Sequence, residues 1–122
     1  MKKIAFLLVF IAGLSLQAQD LASRFDAKAY ADRLSHDIQS ALGINDQAIA
    51  AKIDRETYVY AQSIRKYLIL FQQQGKLEGK TLEEAVQTVL PEVEKSTHFK
   101  KMLTRILGNT KVERLVRKGI IR

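Results

Sequence analysis

Residues 44–71 read INDQAIAAKIDRETYVYAQSIRKYLILF, and their spacing decides the fold. Ile49, Ile53, Tyr60, Ile64, Tyr67, Leu68 and Phe71 recur at helical spacing, while Lys52, Arg55, Gln62, Lys66 and Gln73 fall on the other side. That period is the mark of an amphipathic helix. Asn45 is placed to cap its start, with Ile44 and Ile49 at the two staple positions. The pattern predicts one long helix over about 46–74. Near its end, Tyr67-Leu68-Ile69-Leu70-Phe71 is apolar all round. A helix that loses its polar face is covered on more than one side. Later helices are therefore expected to pack there, with 67–71 at the centre of the core and its aromatics serving as core.

The segments on either side are also helical in pattern. Upstream, Asp26 is a good N-cap, and Phe25 can pack on Tyr30. Ala27, Tyr30, Ala31, Leu34, Ile38, Ala41 and Leu42 make one stripe over about 26–42, and Gly43 is its natural left-handed stop. Residues 20–26 read as a short lead-in. Downstream, Gly75 to Lys80 is a polar loop, and Thr81 to Glu84 is a T-x-x-E capping box. Leu82, Ala85, Val86, Val89 and Leu90 form a short helix that Pro91 is expected to end or kink. Ser96 or Thr97 restarts the chain. Phe99, Met102, Leu103, Ile106 and Leu107 give the next stripe, closed by Gly108. Thr110 to Glu113 is a second T-x-x-E, and Val112, Leu115 and Val116 face inward before Gly119. Ile120 and Ile121 trail out. The expected fold is all-α, a small bundle of five helices, two long and three short.

The first residues concern address rather than fold. Met1-Lys2-Lys3 is positive, Ile4 to Leu16 is nearly unbroken apolar sequence, and Gln17-Ala18-Gln19-Asp20 turns small and polar. That order is that of a secretory signal peptide, expected to be cleaved after Ala18. A retained anchor is the rival. Thirteen helical residues rise only about 20 Å, and a hydrocarbon core is about 30 Å thick. The protein is thus expected to be exported, periplasmic or secreted, with 19–122 as a single helical domain. The chain has no Cys, so neither disulfides nor thiolate metal sites are available.

Charge is unevenly distributed. The whole chain carries +7. Asp20 to Glu94 holds nine basic and twelve acidic residues, whereas Lys95 to Arg122 holds nine basic residues and only Glu113. A basic region at 95–122 is attached to a mildly acidic body. Such asymmetry marks contact with something anionic; the competing reading is a solvated positive face. The candidate contact residues are Lys100, Lys101, Arg105, Lys111, Arg114, Arg117 and Lys118.

No catalytic or metal signature stands out. His36 and His98 are the two histidines, without a paired spacing or an H-E-x-x-H motif. His36 is four residues after Asp32, which suits a surface helix pair, and His98 falls in the first turn of a helix. Nucleophile, base and orienting group cannot be assembled from this sequence, so no enzyme and no cofactor are expected. The pair 98–107 and 111–118 has the outline of a helix-turn-helix. Export argues against a nucleic-acid partner. Lipid headgroups, lipopolysaccharide phosphates or acidic proteins fit better, with at most peripheral membrane contact.

The stretch Ala31 to Leu68 resembles part of the Spy/CpxP-like group of small periplasmic helical proteins. The shared element is a helix, a break of the type L-x-L-T-x-x-Q, then a long amphipathic helix. Here the break is Leu42-Gly43-Ile44-Asn45-Asp46-Gln47, with Asn45 where the capping Thr stands and Gln47 one residue early. At the second copy Leu103-Thr104 is present, but Leu107 stands in place of the Gln. The resemblance implies a curved helical cradle, often dimeric, that shields unfolded envelope proteins. The residues alone point to an exported, non-catalytic binding or accessory module of the bacterial envelope.

Overall fold

The computed structural model describes residues 21–122. The leader expected at 1–18 lies outside the described residues. A helical stretch at 21–23 precedes five helices: α1 (Ala27–Leu42), α2 (Gln47–Gln73), α3 (Leu82–Thr97), α4 (Phe99–Leu107) and α5 (Asn109–Arg117). The described residues contain no strand, so the fold is all-α. The long α2 is the spine on which α1, α3 and α4 all pack. The last helix, α5, packs on α4 and touches α1.

Local signals fix most helix ends. The Asp26 carboxylate accepts from the Ala29 N–H at 3.0 Å, and the Phe25 and Tyr30 rings meet with centroids 5.4 Å apart. Gly43 ends α1 at φ 62°. Its N–H donates to the Ser40 carbonyl and that of Ile44 to Gln39, satisfying two carbonyls the helix leaves orphaned. Thr81 and Glu84 form the reciprocal capping box that starts α3.

Other ends differ from the sequence reading. Asp46, not Asn45, caps α2, because its carboxylate accepts from both Ala48 and Ile49 N–H groups at 2.8 and 3.3 Å. Pro91 does not end α3, which runs on to Thr97 and matches α1 at 16 residues. Three helices are therefore long and two short. Pro91 is exposed, while Val89, Leu90 and Val93 around it are buried. The lost N–H bond falls on the solvent side, and packing of the opposite side outweighs it.

The chain turns at His98 rather than at Ser96 or Thr97, which stay helical. His98 adopts a left-handed conformation at φ 51°. Its N–H donates to Glu94 and its carbonyl accepts from Met102, each at 2.9 Å. It is thus the joint between α3 and α4, not a first-turn residue. The second T-x-x-E forms no box: α5 starts one residue before Thr110, behind Gly108 at φ 89°, and has no side-chain cap.

The core is one cluster. Ile38, Ile53, Ile64, Leu68, Val89, Val93, Leu103 and Leu115 are fully enclosed. At its centre Tyr60 stacks on Phe99 with centroids 4.3 Å apart. The centre is therefore not 67–71. Within that run only Leu68 is buried; Tyr67 and Phe71 are half-buried, and Ile69 and Leu70 are exposed. Among the described residues nothing crosses the outer side of α2 there, because α1 and α3–α4 occupy its other two sides. The lead-in from Leu21 and the C-terminal residues join the core instead. Leu21, Ala22 and Phe25 in the lead-in are buried, and so is Ile121.

Two buried polar groups organise the α1–α2 contact. Ser35 and Thr57 are almost fully enclosed. The Ser35 hydroxyl donates to the Asp54 carboxylate, and the Gln39 amide donates to both Ser35 Oγ at 2.8 Å and Asp54 Oδ1 at 3.2 Å. Thr57 Oγ1 donates to the Asp54 carbonyl at 2.9 Å. These bonds satisfy groups that would be expensive to bury alone, and they fix how far α1 can slide along α2.

Candidate cationic site

The short helices α4 and α5 each have one apolar side. Phe99 and Leu103 anchor α4, and Val112 and Leu115 anchor α5. Anchoring those sides turns the charged positions outward. All seven candidate residues are exposed. On α5, Lys111, Arg114 and Lys118 follow at i, i+3 and i+7, one strip along the helix, with Arg117 beside it. On α4, Lys100 and Lys101 sit in the first turn, and Arg105 lies one turn above Lys101, at i+4 on the same side.

Each short helix thus carries its cations along one side, Lys100, Lys101 and Arg105 on α4 and Lys111, Arg114, Arg117 and Lys118 at α5. The Lys118 ammonium reaches back to the Ala41 carbonyl at 3.5 Å. It thereby brings a cation to the C-terminus of α1, whose own last turn has none. Arg105 turns the other way. It contacts the Met102 sulfur at 3.9 Å and lines a groove of about 340 Å³ between α2 and α4. The groove has Ile49, Met102 and Ile106 as its apolar lining, with Lys52, Arg55 and Arg105 as cations and Glu56 as the one carboxylate.

Electrostatics make these cations available. Among the described residues the ion pairs are Lys28–Asp32 at 3.0 Å and Lys95–Glu92 at 3.7 Å, and neither involves any of the seven. The helices α4 and α5 begin with positive side chains and, unlike α1 and α2 with their Asp26 and Asp46 caps, have no acidic residue at the N-cap or in the first turn. The positive end of each helix dipole therefore adds to the side-chain charge instead of being offset. Such an arrangement costs a little stability and leaves a field suited to an anion.

Spacing alone places Lys52 and Arg55 on the solvated side of a long helix. Their meeting with Arg105 depends on how α4 returns along α2, and no local pattern encodes it. Of the two histidines, His98 adjoins Lys100 and Lys101 at the α3–α4 joint, and His36 lies on α1. His36 approaches Ser40 Oγ at 3.4 Å rather than Asp32, which pairs with Lys28. Among the described residues, no group of three His, Cys, Asp or Glu is placed to hold a metal ion, and no helix is long and apolar enough to cross a membrane.

A second cavity, about 210 Å³, lies where the C-terminus closes on the bundle. Tyr30, Leu34, Tyr60, Phe99 and Ile121 line it, with Arg122 at its edge. Burial, then the nearby Glu94 carboxylate, raises the Tyr60 phenol far above its ordinary value, and raises Tyr30 for the same two reasons. Both tyrosines stay neutral and serve the core.

No known protein family, curated protein or solved structure matches this chain.

Proposed function

We propose that this is an exported, non-catalytic binding or accessory protein of the bacterial envelope that contacts an anionic surface or protein through its basic C-terminal helix pair. The observation that carries this reading is the set of seven exposed cations on α4 and α5 that have no ion-pair partner among the described residues. A folded domain that leaves so many like charges unpaired carries a repulsion that an anionic partner relieves. Lys100, Lys101, Arg114 and Arg117 supply the outer contacts. Arg105, with Lys52 and Arg55, supplies a groove in which an anion meets apolar walls. The leader-like order of residues 1–18 supports the reading of export.

The test is retention on an immobilised polyanion, eluted by salt. The variant Lys100→Gln/Lys101→Gln/Arg114→Gln/Arg117→Gln should elute at clearly lower salt than the unaltered protein. Equal elution would refute the assignment.

A chaperone-like cradle of the Spy/CpxP type is the second reading. It draws on Tyr58, Val59, Ile69 and Leu70, the large apolar side chains that α2 leaves exposed. It requires the protein to suppress aggregation of an unfolded client at near-equal molar ratio, and failure in that assay would remove it.

A further inference from the structure

The outer side of α2 carries a second surface, which meets the α4 groove at Lys52 and Arg55. A helix turns about 100° per residue. Positions 52, 55, 58, 59, 62, 65, 66, 69, 70 and 73 then fall within a sector of about 140°, and every one of them is exposed. Four are large and apolar: Tyr58 at 48% exposure, Val59 at 46%, Ile69 at 43% and Leu70 at 36%. Four are cations: Lys52, Arg55, Arg65 and Lys66. None is acidic. The two carboxylates of α2 fall outside this sector: Asp54 bonds with Ser35 and Gln39, and Glu56 faces the groove against α4, whose rim Lys52 and Arg55 share with this face.

We propose that this face is a docking surface for an anionic lipid bilayer, with α2 lying flat in the headgroup layer. The composition matches what such a layer demands. Cations meet lipid phosphates, aliphatic side chains enter the acyl boundary, and a tyrosine sits with its ring in the apolar layer and its hydroxyl in the wet one. Lys and Arg lay their methylene stems along the apolar surface while their charges stay with the phosphates. The apolar pairs 58/59 and 69/70 lie three turns apart, about 16 Å along the axis, and Arg65 and Lys66 sit between them. Two greasy contacts flanking two cations give a flat, two-point seat. A polyanion without a lipid interior would leave the apolar pairs unused. A protein partner would be expected to meet this many cations with carboxylates, so the occupant is distinguished by whether acyl chains touch residue 69.

The chain contains no Trp, so Ile69→Trp introduces a single reporter. The protein is purified whole and also from Gln19 onward, so that residues 1–18 cannot supply the binding. It is mixed with vesicles of phosphatidylglycerol and phosphatidylcholine in equal parts, and with phosphatidylcholine alone. The expected result, in both forms of the protein, is a blue shift of the indole emission with the anionic vesicles only, and quenching by brominated acyl chains. Ile69→Ser/Leu70→Ser, with helicity unchanged, should weaken vesicle binding by about tenfold or more. Co-sedimentation with vesicles while the indole stays in water would overturn the proposal. A blue shift that grows with protein concentration in the absence of lipid would also overturn it, assigning the face to a second copy of the chain. A shift elicited only by an unfolded protein would overturn it in favour of a client surface. The four-residue Gln variant of α4 and α5 keeps the α2 face intact, so this outcome is separable from that of the C-terminal cations.

Discussion

Leu68, Ile69 and Phe71 are near neighbours in one apolar run, yet the fold gives them unequal roles. Leu68 is fully enclosed, Phe71 is half-buried, and Ile69 is 43% exposed. Truncating a buried Leu to Ala removes its transfer energy and leaves a cavity, which costs about 2–5 kcal/mol. With α1 and α3 both fixed against α2, the site around Leu68 has little room to collapse, so Leu68→Ala is expected near the middle, about 3 kcal/mol. A domain of this size has about 5–15 kcal/mol in all, so this is a large fraction. It corresponds to more than a hundredfold in the folding equilibrium and about 12–24 °C in Tm. Phe71→Ala should cost less than the 3–5 kcal/mol of a core Phe, about 1–2 kcal/mol. It loses a half-buried ring, its edge contact with Tyr67 at 6.3 Å and its cation–π contact with Lys76 at 4.8 Å. Ile69→Ala should stay within about 0.5 kcal/mol. Urea unfolding followed by far-ultraviolet circular dichroism ranks the three. If Ile69→Ala costs as much as Leu68→Ala, the rotation of α2 described above is wrong.

Three further outcomes follow from the same packing. Asp54→Ala should destabilise by about 1–3 kcal/mol in the same unfolding assay, because it strands the buried Ser35 hydroxyl; a neutral result would mean the Ser35–Gln39–Asp54 bonds do not hold α1 to α2. Gly43→Ala places a side chain at φ 62° with open space around it, so the cost is backbone strain alone, about 1–2 kcal/mol. Alkaline titration should unfold the domain early. Tyr30 and Tyr60 are held above the ordinary phenol value by burial first and Glu94 second. Their contribution is whole below about pH 10, where both states are protonated, and falls as pH rises beyond it. The unfolded chain then releases protons that the folded one keeps, at up to about 1.4 kcal/mol per pH unit for each ring. Tyr60→Phe should flatten that fall, and an unchanged alkaline profile would contradict it.

Much of this architecture is legible in local patterns. The Asp26 cap, the Phe25–Tyr30 contact, the Gly43 stop and the Thr81–Glu84 box are short-range devices, and each forms as its spacing implies. What local patterns misplace has a shared cause. Pro91 remains helical because buried Val89, Leu90 and Val93 outweigh one lost hydrogen bond. Thr110 fails to cap because Gly108 already starts α5. Ile69 and Leu70 are as apolar as Leu68, but only the positions of α1 and α3 decide which of them is enclosed. The candidate cations were found by composition, since a run of nine basic residues against one acidic survives any folding. The meeting of the α4 strip with α2 at the Arg105 groove required the tertiary fold. So did the recruitment of Lys52 and Arg55, about fifty residues upstream of Arg105.

The central functional claim is that the unpaired cations of α4 and α5 bind an anionic partner. The most direct measurement is the affinity of the purified protein for a soluble polyanion as ionic strength rises from about 0.01 to about 0.15 M, where the screening length falls from about 30 to about 8 Å. Affinity should drop steeply for the unaltered protein, and Lys100→Gln/Lys101→Gln/Arg114→Gln/Arg117→Gln should bind more weakly with a shallower dependence on salt. Identical affinity and identical salt dependence in the two proteins would contradict the account.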